Sequence, residues 1–295
     1  MKVAFIGLGA MGKGMALNML KNGADMIVCD INNKDFPEFT KHGAKATTSH
    51  SETAQADIIF LCLPDSAVVK SVICEEPLFP LLREGQILVD FSTIKYTVTQ
   101  EIYKSLAEKG VCFIDAPISG MPFRANDGTL TVMCGGDESV FEKVKPYLDF
   151  VGNNIIYMGQ SGNGQLTKLT NNLLYNINVA AVAEILPMAV KLGLDCEKIS
   201  AVINTGTGRS FASEYFVPRI LERNFSDAYP MKFAYKDMVG AAEIAANCSI
   251  PTPVLAAATS TYQMALLNGH GDCSKGGMIQ VFEKLLNVTC QKNKE

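Results

Sequence analysis

The stretch Val3–Gly12 reads VAFIGLGAMG, and the helical pattern of Lys13–Asn22 follows it directly. An apolar strand that runs into a G-x-G-x-x-G turn and then into a helix is typical of a dinucleotide-binding unit. Gly7 allows the tight turn, Gly9 lets the backbone approach a pyrophosphate, and Gly12 lets helix and strand pack closely. The N–H groups at the start of the helix would then face the phosphates. An ordinary strand–turn–helix unit would show the same glycines, so the motif needs support from the rest of the chain.

Asp30 is the first residue after the second apolar run, Met26–Cys29, and lies eighteen residues after Gly12. A carboxylate at this place bonds the adenosine ribose hydroxyls and repels the 2′-phosphate of NADP, so it favours NAD. Lys34 is nearby and would weaken that preference. The alternative role for Asp30 is that of a turn residue at the end of a strand.

The first half of the chain alternates short apolar runs with helical patterns, which indicates βαβ units and an α/β fold with a doubly wound, mainly parallel Rossmann-type sheet. After Gly164 no strand pattern is evident, and a long helical pattern, Gln165–Leu192, is followed by further helices. We therefore predict a nicotinamide-dinucleotide-binding domain at 1–162 and an all-α domain, for substrate and oligomerisation, at 163–295. The predicted strands are Val3–Ile6, Met26–Cys29, Ile58–Leu63, Ile87–Val89, Cys112–Ile114, Leu130–Met133 and Ile155–Tyr157.

The composition excludes several classes of protein. The 295 residues are 48% hydrophobic and 19% charged, enough apolar residue for two folded domains and too little charge for a disordered polyelectrolyte. The net charge of −4 argues against a nucleic-acid-binding protein, which normally has a basic face. The nine cysteines form no C-x-x-C pair and the three histidines have no metal-ligand spacing. We therefore expect free thiols in a reducing, cytoplasmic compartment and no metal site.

The segment Gly162–Asn172 reads GNGQLTKLTNN and opens the long helix. Lys168 and Asn172 are four residues apart, so they share one helix face. From Leu173 to Val190 the only charge is Glu184, so we expect the helix to be mostly buried and Lys168 to border a desolvated cleft. Burial and the nearby helix N-terminus both lower the pKa of a lysine, which would allow Lys168 to act as a general base. From spacing alone, a surface lysine at the start of a helix is equally compatible.

The apolar stretch Leu173–Leu194 carries Glu184, Pro187 and Lys191, so we expect a core helix rather than a membrane span. A helix this apolar needs cover on nearly every face. One small helical domain offers little cover, and we expect a homo-oligomer that buries part of the helix.

Four separated segments resemble the β-hydroxyacid dehydrogenase family of the 6-phosphogluconate dehydrogenase superfamily. This family includes 3-hydroxyisobutyrate dehydrogenase, tartronate semialdehyde reductase and 2-(hydroxymethyl)glutarate dehydrogenase. The resemblance covers the whole chain and agrees with the predicted domains. It implies an NAD cofactor, hydride transfer to or from a small β-hydroxyacid or semialdehyde, and a dimer or tetramer. The segments are Phe5–Gly12, Asp90–Ile94, Asp115–Gly120 with Gly128–Leu130, and Gly162–Asn172, and Lys236-Asp237 is a weaker fifth match.

The resemblance also implies roles for individual residues. Lys168 is implied to take the proton from the substrate hydroxyl, and Asn172 to hold the substrate oxygen. The implied substrate-binding residues are Ser119, Gly120, Lys168 and Asn172. The cofactor-binding residues that we assign are Gly7, Leu8, Gly9, Ala10, Met11, Gly12, Asp30, Leu63, Pro64, Thr93 and Lys236.

Met121 departs from the family pattern, in which a second glycine usually follows the residues that match Ser119 and Gly120. Its side chain would either narrow the substrate loop and favour an apolar substituent or turn away to fill a gap in the core.

Three other functions share parts of the pattern. An imine reductase has the same architecture but usually lacks a lysine at the position of Lys168. A phosphogluconate-type decarboxylating enzyme normally has a longer helical domain than 295 residues accommodate. A non-catalytic dinucleotide-binding scaffold predicts a lost lysine or a damaged glycine motif, and this sequence has neither. We therefore expect an enzyme whose partner is a small-molecule substrate, with no nucleic acid and no membrane.

Overall fold

The computed structural model describes residues 1–75, 78–226 and 229–292. The chain forms two compact units, Met1–Lys168 and Leu169–Glu295. The domain boundary between residues 162 and 163 stays a prediction from the sequence.

The first unit is built on one twisted sheet. Its strands are β1 (Val3–Ile6), β2 (Met26–Cys29), β3 (Lys45–Thr47), β4 (Ile58–Leu61), β5 (Ile87–Asp90), β6 (Cys112–Asp115), β7 (Ile118–Ser119), β8 (Leu130–Gly136) and β9 (Gly152–Tyr157). The order is β3-β2-β1-β4-β5-β6-β8-β7, with β9 paired to β8. Strands β1 to β6 pair in parallel, and β8 runs antiparallel to β6 and β7. The predicted, mainly parallel Rossmann-type sheet is therefore confirmed.

Strands β1, β2 and β4 are apolar and buried along their whole length because both faces of the sheet are covered there. In β1 all four residues are buried. Phe5 packs on one face of the sheet with Phe60 and Phe91. The ring centroids of Phe60 and Phe91 are 5.7 Å apart, and the rings are stacked. Ala4 and Ile6 pack on the other face. The chain order reverses between β1 and β4, and the carboxyl ends of such strands are where open α/β sheets bind ligands.

Helices cover the sheet, and some begin at clear caps. The Asp65 carboxylate accepts hydrogen bonds from the N–H groups of Ala67 and Val68. Helical patterns in the sequence, at Lys13–Asn22, Ser66–Cys74, Val98–Lys109 and Glu138–Leu148, predict four of these helices. The other three helices of this unit have four to six residues and are too short to be predicted from periodicity. The helices of the first unit are α1 (Gly12–Lys21), α2 (Phe36–Lys41), α3 (His50–Thr53), α4 (Ser66–Cys74), α5 (Tyr96–Ala107), α6 (Pro122–Asp127) and α7 (Glu138–Leu148).

The next helix, α8 (Asn163–Lys191), begins in the first unit and ends in the second. It is long and apolar enough to cross a membrane by length and composition, a test that the core helices of soluble proteins also pass. Within this chain only 39% of its most apolar 18 residues are buried, so the expectation that the helix is mostly buried was wrong for the single chain. The reason is an apolar stripe that this chain leaves exposed, formed by Leu174, Ala181, Ile185, Met188 and Leu192.

The second unit is helical, as predicted, and its described residues contain no strand. Its core includes the fully buried side chains of Tyr262 and Phe216. The helical patterns after α8 predict helices at Cys196–Ile203, Lys232–Asn247, Val254–Asn268 and Met278–Leu286. They do not predict the helix at Phe211–Leu221, because Pro218 lies inside it and disfavours a helix interior. After α8 the helices are α9 (Cys196–Thr205), α10 (Phe211–Leu221), α11 (Met231–Asn247), α12 (Pro253–Leu267) and α13 (Ile279–Leu286).

Candidate active site

The glycine turn between β1 and α1 has the geometry that its three glycines suggested. Gly7 has a φ of +96°, and a Cβ there would collide with the carbonyl oxygen of Cys62. A Cβ at Gly12 would collide with the carbonyl oxygen of Gly7, so the close approach of helix and strand requires glycine. A Cβ at Gly9 would meet nothing within 4 Å. The turn is thus packed at both ends and open in the middle.

Asp30 lies directly after β2 and faces this turn. Its Oδ2 accepts a hydrogen bond from the N–H of Leu8 at 2.6 Å, and its Oδ1 accepts one from the N–H of Asn32 at 2.8 Å. The carboxylate is therefore held beside the glycine turn, where the adenosine ribose is expected. Lys34 is exposed.

Two of the predicted cofactor segments lie side by side at the carboxyl ends of β4 and β5. The N–H of Leu63 donates to the Ser92 hydroxyl at 2.8 Å, and the N–H of Ser92 donates to the Asp90 carboxylate at 2.9 Å. Pro64 and Thr93, one residue further along each loop, are exposed. The hydrogen bonds hold the two loops together and leave these two residues accessible.

Helix α8 starts on the carboxylate of Asp115, which ends β6. The Asp115 oxygens accept hydrogen bonds from the N–H groups of Gly162, at 2.6 Å, and Gln165, at 3.0 Å. Burial raises the pKa of Asp115 to about 7, and the hydrogen bonds from Gly162 and Gln165 oppose that rise. Gly164 has no room for a side chain, because a Cβ would collide with the carbonyl oxygen of Met133. The first turn of α8 is therefore anchored to the sheet.

The side chain of Gln165 makes a second connection between α8 and the sheet. Its Nε2 donates to the carbonyl oxygen of Ser92 at 2.7 Å, and its Oε1 accepts from the N–H of Ile94 at 3.2 Å. These two backbone groups flank Thr93. Gln165 therefore links the helix that carries Lys168 to the loop that carries a predicted cofactor contact.

The predicted substrate loop leaves β7 at Ser119 and continues into α6. Gly120 is exposed and has a φ of +145°, a conformation that L side chains rarely adopt. Met121 is half-buried and extended, with φ −96° and ψ 167°, the conformation favoured before Pro122. Helix α6, which follows the loop, rests on α1, since Asn18 Nδ2 donates to the carbonyl oxygen of Ala125 at 3.0 Å.

The remaining predicted residues lie on helices. Lys168, on the second turn of α8, is half-buried, and so is Asn172 one turn later. Lys236 is exposed on α11 in the second unit. Among the residues that the structure describes, no group of three or more His, Cys, Asp and Glu side chains could hold a metal ion.

Comparison with known proteins decides the family. Residues 2–159 match the model of the NAD-binding domain of 6-phosphogluconate dehydrogenase, and residues 162–282 match the model described as NAD-binding of NADP-dependent 3-hydroxyisobutyrate dehydrogenase. The chain belongs to the β-hydroxyacid dehydrogenase family. It is accordingly an oxidoreductase of that family and uses a nicotinamide dinucleotide cofactor.

Individual relatives of this dehydrogenase extend over almost its whole length. It is 35% identical over 291 residues to 2-(hydroxymethyl)glutarate dehydrogenase of Eubacterium barkeri, which covers 98% of this chain and 97% of the relative. It is 31% identical to 2-hydroxy-3-oxopropionate reductase of Escherichia coli, with 97% and 99% covered. Human mitochondrial 3-hydroxyisobutyrate dehydrogenase is also 31% identical, with 96% and 86% covered.

Solved structures confirm the fold of this dehydrogenase. The 3-hydroxyisobutyrate dehydrogenase of Mycobacterium tuberculosis, solved with L-serine, superposes with a TM-score of 0.84 at 28% identity and covers 95% of this chain and 98% of its own. An imine reductase from Pseudomonas has a TM-score of 0.62 at 21% identity, with 95% and 98% covered, and shares the fold alone.

Three residues of this site carried no assigned role in the sequence: Ser92, Asp115 and Gln165. Each lies inside a segment that the sequence singles out, but the bonds of Gly162 to Asp115 and of Gln165 to Ser92 join residues 47 and 73 positions apart. The available signal was the presence of polar residues just where buried strands end, a place at which they are costly unless they are bonded.

Proposed function

We propose that this chain transfers hydride between NAD(H) and a small β-hydroxyacid or its semialdehyde, with Lys168 as general acid and base. The observation that carries the proposal is the anchoring of the α8 start on Asp115. It holds the helix of Lys168 at the carboxyl ends of parallel strands, where open α/β sheets bind their ligands.

The glycine turn fits the pyrophosphate of a dinucleotide. The backbone at Gly9 is open, and α1 begins without a side-chain cap, so its first turn can accept an anion. We propose that Asp30 binds the adenosine ribose and selects NAD over NADP. A nicotinamide dinucleotide, when bound, supplies the hydride-transfer chemistry. The further proposed contacts are Gly7, Leu8, Ala10, Met11, Gly12, Leu63, Pro64, Thr93 and Lys236.

The proposed roles of the substrate-binding residues follow from their chemistry. Ser119 offers a hydroxyl and Gly120 an exposed backbone to the substrate carboxylate. In the oxidative direction Lys168 takes the proton of the hydroxyl group while the carbon that bears this group loses a hydride. In the reductive direction Lys168 returns the proton to the forming alkoxide. Asn172 holds the same oxygen, which is a positioning role.

The names of the relatives narrow the substrate class. Two of the names contain a hydroxyacid, 3-hydroxyisobutyrate and 2-(hydroxymethyl)glutarate, and reduction of 2-hydroxy-3-oxopropionate gives a third, glycerate. All three share a HOCH2–CH(R)–COO⁻ core, in which R is a methyl, a carboxyethyl and a hydroxyl group, respectively. We propose that the substrate of this chain has the same core, because Lys168, Ser119 and Gly120 address only the hydroxyl and the carboxylate.

An absorbance screen at the NADH band tests this function. The panel contains 3-hydroxyisobutyrate, 2-(hydroxymethyl)glutarate, glycerate, their semialdehydes and a cyclic imine. We expect oxidation of at least one hydroxyacid with NAD. Reduction of the imine together with inactivity on every hydroxyacid and semialdehyde would favour the imine reductase alternative.

We also propose that a second copy of the chain covers the apolar stripe of α8. Leu174 is 63% exposed and Leu192 is 73% exposed, although both lie on or beside the long, largely apolar helix α8. Such a surface needs cover. A homodimer or a larger homo-oligomer would supply it, in a soluble, cytoplasmic enzyme.

A further inference from the structure

We infer that Gln165 is a positioning residue of the reaction, because its side chain fixes the helix start that carries Lys168 against the Ser92–Ile94 loop. The inference rests on the proposed role of Lys168 as acid and base. All of the residues that carry it belong to the first unit, Met1–Lys168.

The Gln165 amide makes two hydrogen bonds of opposite sense. Its Nε2 donates to the Ser92 carbonyl at 2.7 Å, and its Oε1 accepts from the Ile94 N–H at 3.2 Å. The residue is only 3% exposed. An amide has both a donor and an acceptor at its tip, whereas an ionised carboxylate can only accept and an ammonium can only donate. The pair of loop groups therefore selects glutamine.

The other side of the connection is the helix. The backbone N–H of Gln165 donates to Asp115 at 3.0 Å, so main chain and side chain are both held. Lys168 follows three residues later, about 4.5 Å along the helix axis. A helix turn moves as a rigid piece, so a displacement of Gln165 is passed on to Lys168.

The loop that Gln165 holds carries predicted cofactor contacts. Ser92 and Ile94 flank the exposed Thr93, and the Ser92 hydroxyl accepts a hydrogen bond from Leu63 at 2.8 Å. Gln165 thus sets the distance between the proton-transfer lysine and the residues assigned to the cofactor. Misplacement of a reacting group by about 1 Å can cost a hundredfold in rate.

The first variant is Gln165→Leu, with Gln86→Leu as its matched control. Gln86 is 4% exposed, and its Nε2 donates to the carbonyl oxygens of Ala54, at 2.9 Å, and Ala56, at 2.6 Å. Gln86 lies just before the amino end of β5, whereas the loop that Gln165 holds follows the carboxyl end of the same strand. We expect Gln165→Leu to lower kcat at least about tenfold while NADH Kd changes less than about threefold. We expect Gln86→Leu to lower Tm but leave kcat within about twofold.

The second variant is Gln165→Glu, which tests the hydrogen bonds rather than the packing. A protonated carboxyl group can accept from Ile94 and donate to Ser92, whereas an ionised one cannot donate. Asp115 and Asp90 are the neighbouring carboxyl groups, and burial raises the pKa of each to about 7. Because both are also present in the wild type, the readout is kcat of the variant divided by kcat of the wild type. We expect this ratio to rise at least about threefold between about pH 8.5 and pH 6.

Two results would overturn the inference. One is a Gln165→Leu enzyme whose kcat stays within about twofold of the wild type or falls no further than that of Gln86→Leu. The other is a kcat ratio for Gln165→Glu that does not change with pH. Because Lys168→Ala tests the proposed function separately, an inactive Lys168→Ala enzyme together with either result would reject the role of Gln165 alone.

Discussion

The Asp30 carboxylate accepts a hydrogen bond from the N–H of Leu8 at 2.6 Å, which places a negative charge against the glycine turn. A 2′-phosphate at the ribose would approach that charge. Repulsion of about 1.4 kcal/mol between the carboxylate and the 2′-phosphate would lower kcat/KM tenfold. We therefore predict that kcat/KM with NAD exceeds kcat/KM with NADP at least tenfold.

Asp30→Asn should reduce this cofactor preference to within about threefold, since the amide keeps an acceptor for Leu8 but loses the charge. Asp57→Asn is the control, because the Asp57 carboxylate accepts a backbone N–H from Lys2 at 2.8 Å just before β4. The control should keep the preference. Equal efficiency with both cofactors in the wild type would contradict the role of Asp30.

Asp90 predicts a pH dependence of stability. Its Oδ2 is buried and lacks a hydrogen-bond partner among the residues that the structure describes. Burial raises its pKa from 3.8 to about 7, although hydrogen bonds from Ser92 oppose the rise. The native state therefore holds the proton to a higher pH than the unfolded chain does. The free energy of unfolding that protonated Asp90 contributes is fully present below about pH 4 and is lost as the pH rises to about 7.

Asp90→Asn removes this titration. Denaturant unfolding of variant and wild type should give a stability difference that shifts in favour of the variant by at least about 1 kcal/mol between about pH 5 and pH 8. A difference that stays constant over this range would show that Asp90 is ionised in the native state throughout.

Met121 should influence the choice of substrate. Its backbone is extended and its side chain is half-buried in the loop that follows Ser119 and Gly120. If the side chain faces the substrate, Met121→Gly should shift the kcat/KM ratio of substrates with apolar and polar R groups by about tenfold toward the polar ones. A variant with altered Tm but an unchanged ratio would place the side chain in the core instead.

The α8 stripe should control assembly. Light scattering at micromolar concentration should give a mass at least twice 31.9 kDa for the wild type. Ile185→Lys should shift the protein toward the monomer, because Ile185 is 46% exposed on the stripe and a charge there would be buried in the oligomer. Leu81→Lys, at an exposed position of the first unit, should not. A stable wild-type monomer would reject the proposed interface.

The sequence predicted the start of the first unit almost residue by residue. Val3–Ile6 and Met26–Cys29 are the observed strands, because short apolar runs between glycine and polar residues leave little freedom in placing a buried parallel strand. The strand predicted at Ile58–Leu63 ends earlier, at Leu61. The chain turns off the sheet there, where Leu63 bonds to Ser92, and periodicity contains no signal for that contact.

The local motifs were visible in the sequence, but the connections between them were not. Asp115 and Gln165 both lie within quoted motifs, yet the bond between them spans 50 residues and depends on the order of the strands. The sequence predicted that part of α8 lacks cover within the chain, but it did not predict which residues form the exposed stripe. Apolar composition measures how much of a helix prefers burial, and only the packing of the other helices decides which face this chain leaves uncovered.

Lys168→Ala tests the central claim most directly. The variant is compared with Lys145→Ala, which loses a lysine whose side chain is 41% exposed and pairs with Asp149. The measurement is kcat with the best substrate of the screen, together with NADH Kd from fluorescence. We predict that kcat of Lys168→Ala falls at least about a hundredfold, the usual loss for an acid–base group, with NADH Kd nearly unchanged and Lys145→Ala fully active. Normal turnover of Lys168→Ala would contradict the assignment of Lys168 as the group that moves the proton.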